Sequence, residues 1–179
     1  MTTRPSDAVD PAQPSRPAAL VRFAAFGLAA LWAVMDLGAK SLAEASLAGQ
    51  PGNQLQLSSF FDLTLSYNAG VTFGMGRAVP AIWILLATSL IAAAVAWALL
   101  RAKRPSAAFA LALVLGGALG NIIDRAPDGL VTDFLDFHLR GLHWPAFNLA
   151  DVGIVVGVIA LLGLELIPER RRPRSAEGH

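Results

Sequence analysis

The sequence predicts an all-α polytopic membrane protein, four transmembrane helices carrying a small extracytoplasmic β-sheet. Three observations predict it. The 179-residue chain is 55% hydrophobic and only 15% charged, with mean hydropathy +0.54, where a soluble domain is about 25% charged. Apolar segments lie at about residues 20–42, 79–100, 107–123 and 147–167, lengths suited to a bilayer core of ~30 Å. Lys and Arg are divided unevenly between the loops.

Residues 1–17 are polar with four prolines and are expected to form a disordered cytoplasmic tail. The first apolar segment carries Asp36 and Lys40, four apart and acid first, which favours an ion pair on one helix face. A secretory signal peptide would use Arg22 as its basic start and Ala43-Glu44-Ala45 as its cleavage site. The charges ahead of that site, and the spans after it, favour a retained helix.

Residues 45–78 are expected outside the membrane. Leu63-Thr64-Leu65-Ser66-Tyr67 alternates as a strand does. Asn68-Ala69-Gly70 is a turn signal, and Val71-Thr72-Phe73 is expected to return as the second strand of a hairpin. Phe60-Phe61 fits either the headgroup layer or the underside of that hairpin.

The second segment has Trp83 and Trp97 near its ends, where aromatic belts form. The third carries Gly116 and Gly120 at G-x-x-x-G spacing, which permits close helix approach, the alternative being a merely flexible pair. Asn121 and Asp124 share a face at its end, and Asp124-Arg125 are expected to form an interface charge pair. After the turn Pro127-Asp128-Gly129, Leu130–Phe134 reads as a short strand ending near Asp133. Asn148 suits the N-cap of the last helix, which puts Asp151 at the third position, near the positive end of the helix dipole. Residues 18–168 thus read as one four-helix domain, with 126–146 outside the membrane and 169–179 a basic cytoplasmic tail.

Arg4, Arg16, Arg22, Arg101, Lys103, Arg104 and the arginines of 170–174 fall on one side. Lys40, Arg77, Arg125 and Arg140 fall on the other. The positive-inside rule places both termini in the cytoplasm. Residues 45–78 and 121–151 then share the opposite face.

Net charge is +1, which offers nothing to nucleic acid. There is no cysteine, so thiolate nucleophiles and thiolate metal sites are excluded. His138, His143 and His179 form no H-E-x-x-H, so a zinc protease is not indicated, and no cofactor is expected.

What remains is the density of polar groups from Asn121 to Asp151, with five Asp, among apolar helices. Such groups are costly there and point to function. Asp151 with a second carboxylate could share one proton and act as general base and acid on a peptide bond. Spacing leaves Asp133 and Asp136 equally eligible as that partner. Three other readings compete. Lys40 could activate a serine, with Ser41, Ser58, Ser59 and Ser66 available. An ion- or proton-coupled transporter would place acids near the midplane on broken helices, whereas these cluster at helix ends. A non-catalytic assembly subunit would use them only to lock the bundle.

Five motifs in order resemble the lipoprotein signal peptidase (signal peptidase II) family: D-L-G-A-K (36–40), Y-N-A-G-V-T-F-G (67–74), G-G-A-L-G-N-I-I-D-R (116–125), G-L-V-T-D-F (129–134) and P-A-F-N-L-A-D (145–151). The resemblance covers about residues 30–155. It implies a four-helix aspartyl protease of the bacterial inner membrane, active at the extracytoplasmic face. Such an enzyme removes signal peptides from prolipoproteins, cutting before the diacylglyceryl cysteine. It implies Asp133 and Asp151 as the catalytic pair, with Asp36, Lys40, Asn68, Gly70, Asn121, Asp124, Arg125 and Asn148 contacting substrate or supporting the site. It further implies inhibition by the cyclic peptide globomycin and no metal. Membrane lipid is the expected surroundings and a monomer the expected state. Leu37 and Ala39 depart from the family's usual Gln and Ser or Thr, which removes a hydroxyl from the first helix.

Overall fold

The computed structural model describes residues 16–70 and 80–166. Four helices are long and apolar enough to cross a membrane: α1 (Arg16–Leu47), α2 (Ala81–Arg101), α3 (Pro105–Arg125) and α4 (Leu149–Leu166). The described residues also include four strands: β1 (Gln54–Gln56), β2 (Phe61–Asn68), β3 (Val131–Leu139) and β4 (Leu142–His143). They form one antiparallel sheet in the order β1-β2-β3-β4. The predicted fold class is therefore the observed one.

α3 packs on α1, α2 and α4, and its interior is made of small side chains. Ala25, Ala29, Ala92, Ala108 and Ala112 are buried with Leu99 and Leu115. Leu90 and Leu166 are instead 73% and 82% exposed. That is the inverse of a soluble bundle. Lipid tails solvate large apolar groups as well as a core does, so helices gain by close approach of small residues. The G-x-x-x-G pair works in this way. A Cβ on Gly116 would stand 2.6 Å from the Ala29 carbonyl oxygen, and one on Gly120 would stand 2.5 Å from the Asp36 carboxylate. Both glycines face α1, so contact rather than flexibility is their role.

α1 has 32 residues and is about 48 Å long at 1.5 Å per residue. It outruns the bilayer core, and its last turns carry the sheet: Ala43 and Leu47 are buried with Phe134 of β3. Two sequence expectations are corrected here. Arg16 and Pro17, assigned to the tail, belong to α1. β3 is a nine-residue strand in which Asp133 is third rather than last. It lengthens because β2 and β4 flank it and Leu135 bridges to Phe147. β2 pairs with β1 and β3. The return strand expected at Val71-Thr72-Phe73 lies outside the described residues, as do residues 1–15 and the basic tail.

Candidate active site

The polar residues singled out in the sequence meet where α1, α3, α4 and the sheet converge. α1 contributes a stripe at four-residue spacing: Trp32, Asp36, Lys40 and Glu44. Asp36 is fully buried. One of its oxygens accepts the backbone N–H of Ala150 at 2.7 Å; the other meets Lys40 Nζ at 2.8 Å as an ion pair. Lys40 also reaches Asp124 at 3.1 Å and donates to Asn121 at 2.8 Å. A buried ammonium needs this much compensation. Among the described residues none of these partners is a serine, and Ser41 is exposed.

α3 delivers Asn121 and Asp124 on one face. Asn121 accepts from Lys40 and Asn148 (3.1 Å) and donates to Asp151 Oδ1 at 2.9 Å. Asp124 accepts the N–H of Thr132 at 2.8 Å. The expected Asp124–Arg125 pair gives way to separate partners. Asp124 pairs with Lys40, and Arg125 donates to the Asn68 carbonyl oxygen at 3.3 Å. Neighbouring residues on a helix point apart, so each finds a different element.

α4 begins as the sequence predicts. Asn148 Oδ1 accepts the N–H of Asp151 at 3.0 Å, and Asp151 Oδ2 accepts the N–H of Asn148 at 3.3 Å. This is a reciprocal capping box, and it fixes Asp151 at the positive end of the helix. Two contacts from α1 hold the same turn: Asp36 on Ala150, and Trp32 Nε1 donating to the Leu149 carbonyl at 3.2 Å.

β3 delivers Asp133, which is 3% exposed. Asn148 Nδ2 donates to its Oδ1 at 2.7 Å, and Asn68 Nδ2 donates to its Oδ2 at 3.1 Å. The Asn68 amide is oriented because its oxygen accepts the N–H of Gly70 at 2.7 Å. That turn requires φ +79 at Gly70, where Arg125 also lies close, so a side chain there would be strained. Burial pushes the Asp133 carboxyl up to about 6; the Asn68 hydrogen bond opposes this and the Asp151 charge adds to it. A cavity of about 390 Å³ opens on Asp133 between Ser66, Tyr67, Asn68 and Pro145.

Asp136 projects from the opposite face of β3. It accepts from Thr64 at 3.3 Å and pairs with His143 at 2.9 Å, away from the amides that join Asp133 to Asp151. Trp32, Glu44 and Thr132 were not named as site residues from the sequence. Thr132 donates to Glu44 at 2.9 Å, and the four-residue rhythm of the α1 stripe could have revealed Trp32 and Glu44. Among the described residues no three His, Asp or Glu side chains are arranged to hold a metal ion.

Residues 28–167 match the family described as signal peptidase (SPase) II. The chain belongs to the signal peptidase II family. Its curated relatives agree. It is 43% identical over 152 residues to the lipoprotein signal peptidase of Ralstonia nicotianae, covering 83% of this chain and 84% of that one. It is 41% identical to the lipoprotein signal peptidase of Francisella tularensis subsp. mediasiatica, covering 82% and 93%. A bacterial membrane enzyme solved by the in meso method at 2.3 Å shares the fold, with TM-score 0.70 and 24% identity over 84% of this chain and 94% of that one. As a signal peptidase II, the chain is a multi-pass bacterial membrane protein.

Proposed function

We propose that this signal peptidase II is an aspartyl endopeptidase that cleaves prolipoproteins immediately before the lipid-modified cysteine, with Asp133 and Asp151 as its catalytic pair. The observation that carries the reading is Asn148. One buried amide donates to Asp133 and accepts from the backbone of Asp151, so carboxylates 18 positions apart in sequence belong to one rigid unit.

Two nearby carboxylates resist simultaneous ionisation and share a proton. In the substrate complex the ionised member takes a proton from water, and the resulting hydroxide adds to the scissile carbonyl. The protonated member donates to the carbonyl oxygen. As the tetrahedral intermediate collapses, a proton passes to the departing amine. This releases the signal peptide's carboxylate and the free amino group of the lipidated cysteine. The amides of Asn68, Asn121 and Asn148 keep the two carboxylates oriented through both steps. Lys40 is shared between the Asp36 and Asp124 carboxylates behind the pair, and Arg125 and Gly70 hold the Asn68 turn. The reading places the site at the extracytoplasmic face of the inner membrane with both termini cytoplasmic. Globomycin is the inhibitor it implies, acting on a monomer that needs no metal.

The test is cleavage of a purified, lipidated prolipoprotein, read as a gel shift. Asp133→Asn and Asp151→Asn are each expected to abolish it, and the double variant to be no worse than either, because groups acting as one unit are not additive. Asp136→Asn is expected to stay active and chelators to have no effect. Normal turnover by either single variant, its fold verified, would remove that residue from the mechanism. A wild-type chain that never cleaves would favour a non-catalytic assembly role.

A further inference from the structure

The bundle carries a second cluster of charge, at the end away from Asp133 and Asp151. Arg22 precedes Lys40 by 18 residues on α1, about 27 Å at 1.5 Å per residue. Pro105 begins α3, and Asp124 follows 19 residues later, about 28 Å away. These spans match a hydrocarbon core of ~30 Å. Arg22 and the α2–α3 connection therefore stand at the headgroup layer opposite the acid pair. Trp97 marks the same level, with the Arg101 guanidinium 5.2 Å from its ring centroid, as aromatic belts do.

Arg22, Lys103 and Arg104 line a cavity of about 240 Å³ between α1 and the α2–α3 connection. Ala18, Val21, Ala102 and Pro105 complete its wall, and Val21 and Ala102 pack on the buried core of the bundle. The elements that line it bring no counter-charge: α1 has no acid before Asp36, α2 has none, and α3 has none before Asp124. Glu165 is exposed on the last turn of α4, a helix that does not line the cavity. Arg22 Nε is buried without a hydrogen-bond partner among the described residues, and such a donor calls for an acceptor. Arg104 is the N-cap of α3 and makes no side-chain capping bond, so the positive end of that helix adds to the same field.

We propose that this cavity binds the phosphodiester of an anionic phospholipid, in the leaflet opposite the catalytic residues. Arginine presents a planar fork that matches two phosphate oxygens, and lysine adds a point charge. The space equals about eight waters at ~30 Å³ each, which holds a phosphate and part of its glycerol. A free phosphate would gain nothing from Val21 and Pro105, whereas a glycerol and its acyl chains would. A zwitterionic headgroup would bring its own ammonium against the three cations, so the class that fits is an acidic lipid such as phosphatidylglycerol. The consequence is mechanical. One phosphate touching both α1 and the α2–α3 connection ties the helix that carries Asp36 and Lys40 to the helix that carries Asn121 and Asp124.

The test needs no peptidase activity and so stands apart from the catalytic proposal. The purified chain in neutral detergent is titrated with short-chain phosphatidylglycerol, short-chain phosphatidylcholine, glycerol phosphate or inorganic phosphate. Bound lipid is read by native mass spectrometry and its effect by melting temperature. Phosphatidylglycerol is expected to be retained in a one-to-one complex and to raise the melting temperature in proportion to its occupancy. The other three should do neither at the same concentration. Arg22→Gln and the exposed Lys103→Gln should each weaken retention roughly tenfold or more, the scale of one charged hydrogen bond. Arg101→Gln removes the same charge from the same end of the bundle but lies outside the cavity, and it should bind as the wild type does. Equal weakening by Arg101→Gln would overturn the proposal in favour of general surface attraction. Inorganic phosphate as effective as phosphatidylglycerol would assign the cavity to a soluble anion instead. Unchanged retention by Lys103→Gln, with its melting temperature intact, would also sink the site.

Discussion

Asn148 Nδ2 donates to Asp133 Oδ1 at 2.7 Å from a side chain with no solvent exposure. The same residue caps α4, so two roles are superimposed and can be separated by substitution. Ser caps helices about as well as Asn but cannot reach Asp133 with an amide. Asn148→Ser is therefore expected to keep most of the melting temperature while losing roughly 100-fold in cleavage rate, the scale of removing one aimed donor. Asn148→Ala should lose both, with about 1 kcal/mol of capping gone. Thermal unfolding beside prolipoprotein cleavage checks this. An active Asn148→Ser enzyme would show that the amide bridge is not needed for the chemistry.

Asp133 makes stability depend on pH in a defined direction. Its carboxyl is raised from 3.8 to about 6 by burial, with the Asn68 hydrogen bond opposing and Asp151 adding. The folded chain thus holds this proton more tightly than the unfolded chain. The contribution is fully present below about pH 4 and is lost as pH rises through about 6, on the order of 3 kcal/mol. The melting temperature of the wild type should fall across that window relative to Asp133→Asn, which has no such proton to lose. The cleavage rate should show a limb near the same pH, belonging to the pair rather than to either Asp. Parallel melting curves for the two proteins would refute the assignment.

Much of this arrangement is legible in the sequence because periodicity speaks directly to local structure. The four-residue spacing of Asp36 and Lys40, the shared face of Asn121 and Asp124, and the Asn148–Asp151 cap are properties of one helix at a time. The sheet is harder to read. β2 finds its partner β3 more than sixty residues away, and nothing local announces that pairing. Asp124-Arg125 misleads for the related reason that adjacency in sequence is not adjacency on a helix. Spacing does not choose between Asp133 and Asp136. They stand on opposite faces of β3, and only the packing of α4 against one of them makes the difference.

Gly120 supplies a steric prediction. A Cβ there would stand 2.5 Å from Asp36 Oδ2 and 3.2 Å from its carboxyl carbon. Gly120→Ala must push Asp36 off Lys40 and Ala150, at about 1–3 kcal/mol for overpacking, with cleavage falling as α4 loses its tether. Gly38 is on the same helix as Asp36, but a methyl there would meet nothing within 4 Å. Gly38→Ala should be neutral or stabilising by roughly 0.5–1 kcal/mol. Similar melting temperatures for the two variants would show that α1 and α3 can separate without cost.

Lys40 is the last case, and here the sign of the coupling is the test. Its side chain is 3% exposed, and its ammonium meets Asp36 at 2.8 Å and Asp124 at 3.1 Å. Lys40→Met removes the cation and leaves Asp36 fully buried without its counter-charge. Breaking a buried pair from one side typically costs about 3–5 kcal/mol. Asp36→Asn/Lys40→Met removes that stranded charge as well, and the Asn oxygen can still accept the N–H of Ala150. Asp124 keeps partial exposure and its hydrogen bond from Thr132. The double variant is therefore expected to melt higher than Lys40→Met, a non-additivity that separate sites would not give. If the pair only braces α1 against α3 and α4, activity should recover together with stability. A double variant that regains its melting temperature but not its cleavage would give Lys40 or Asp36 a part in the proton chemistry itself.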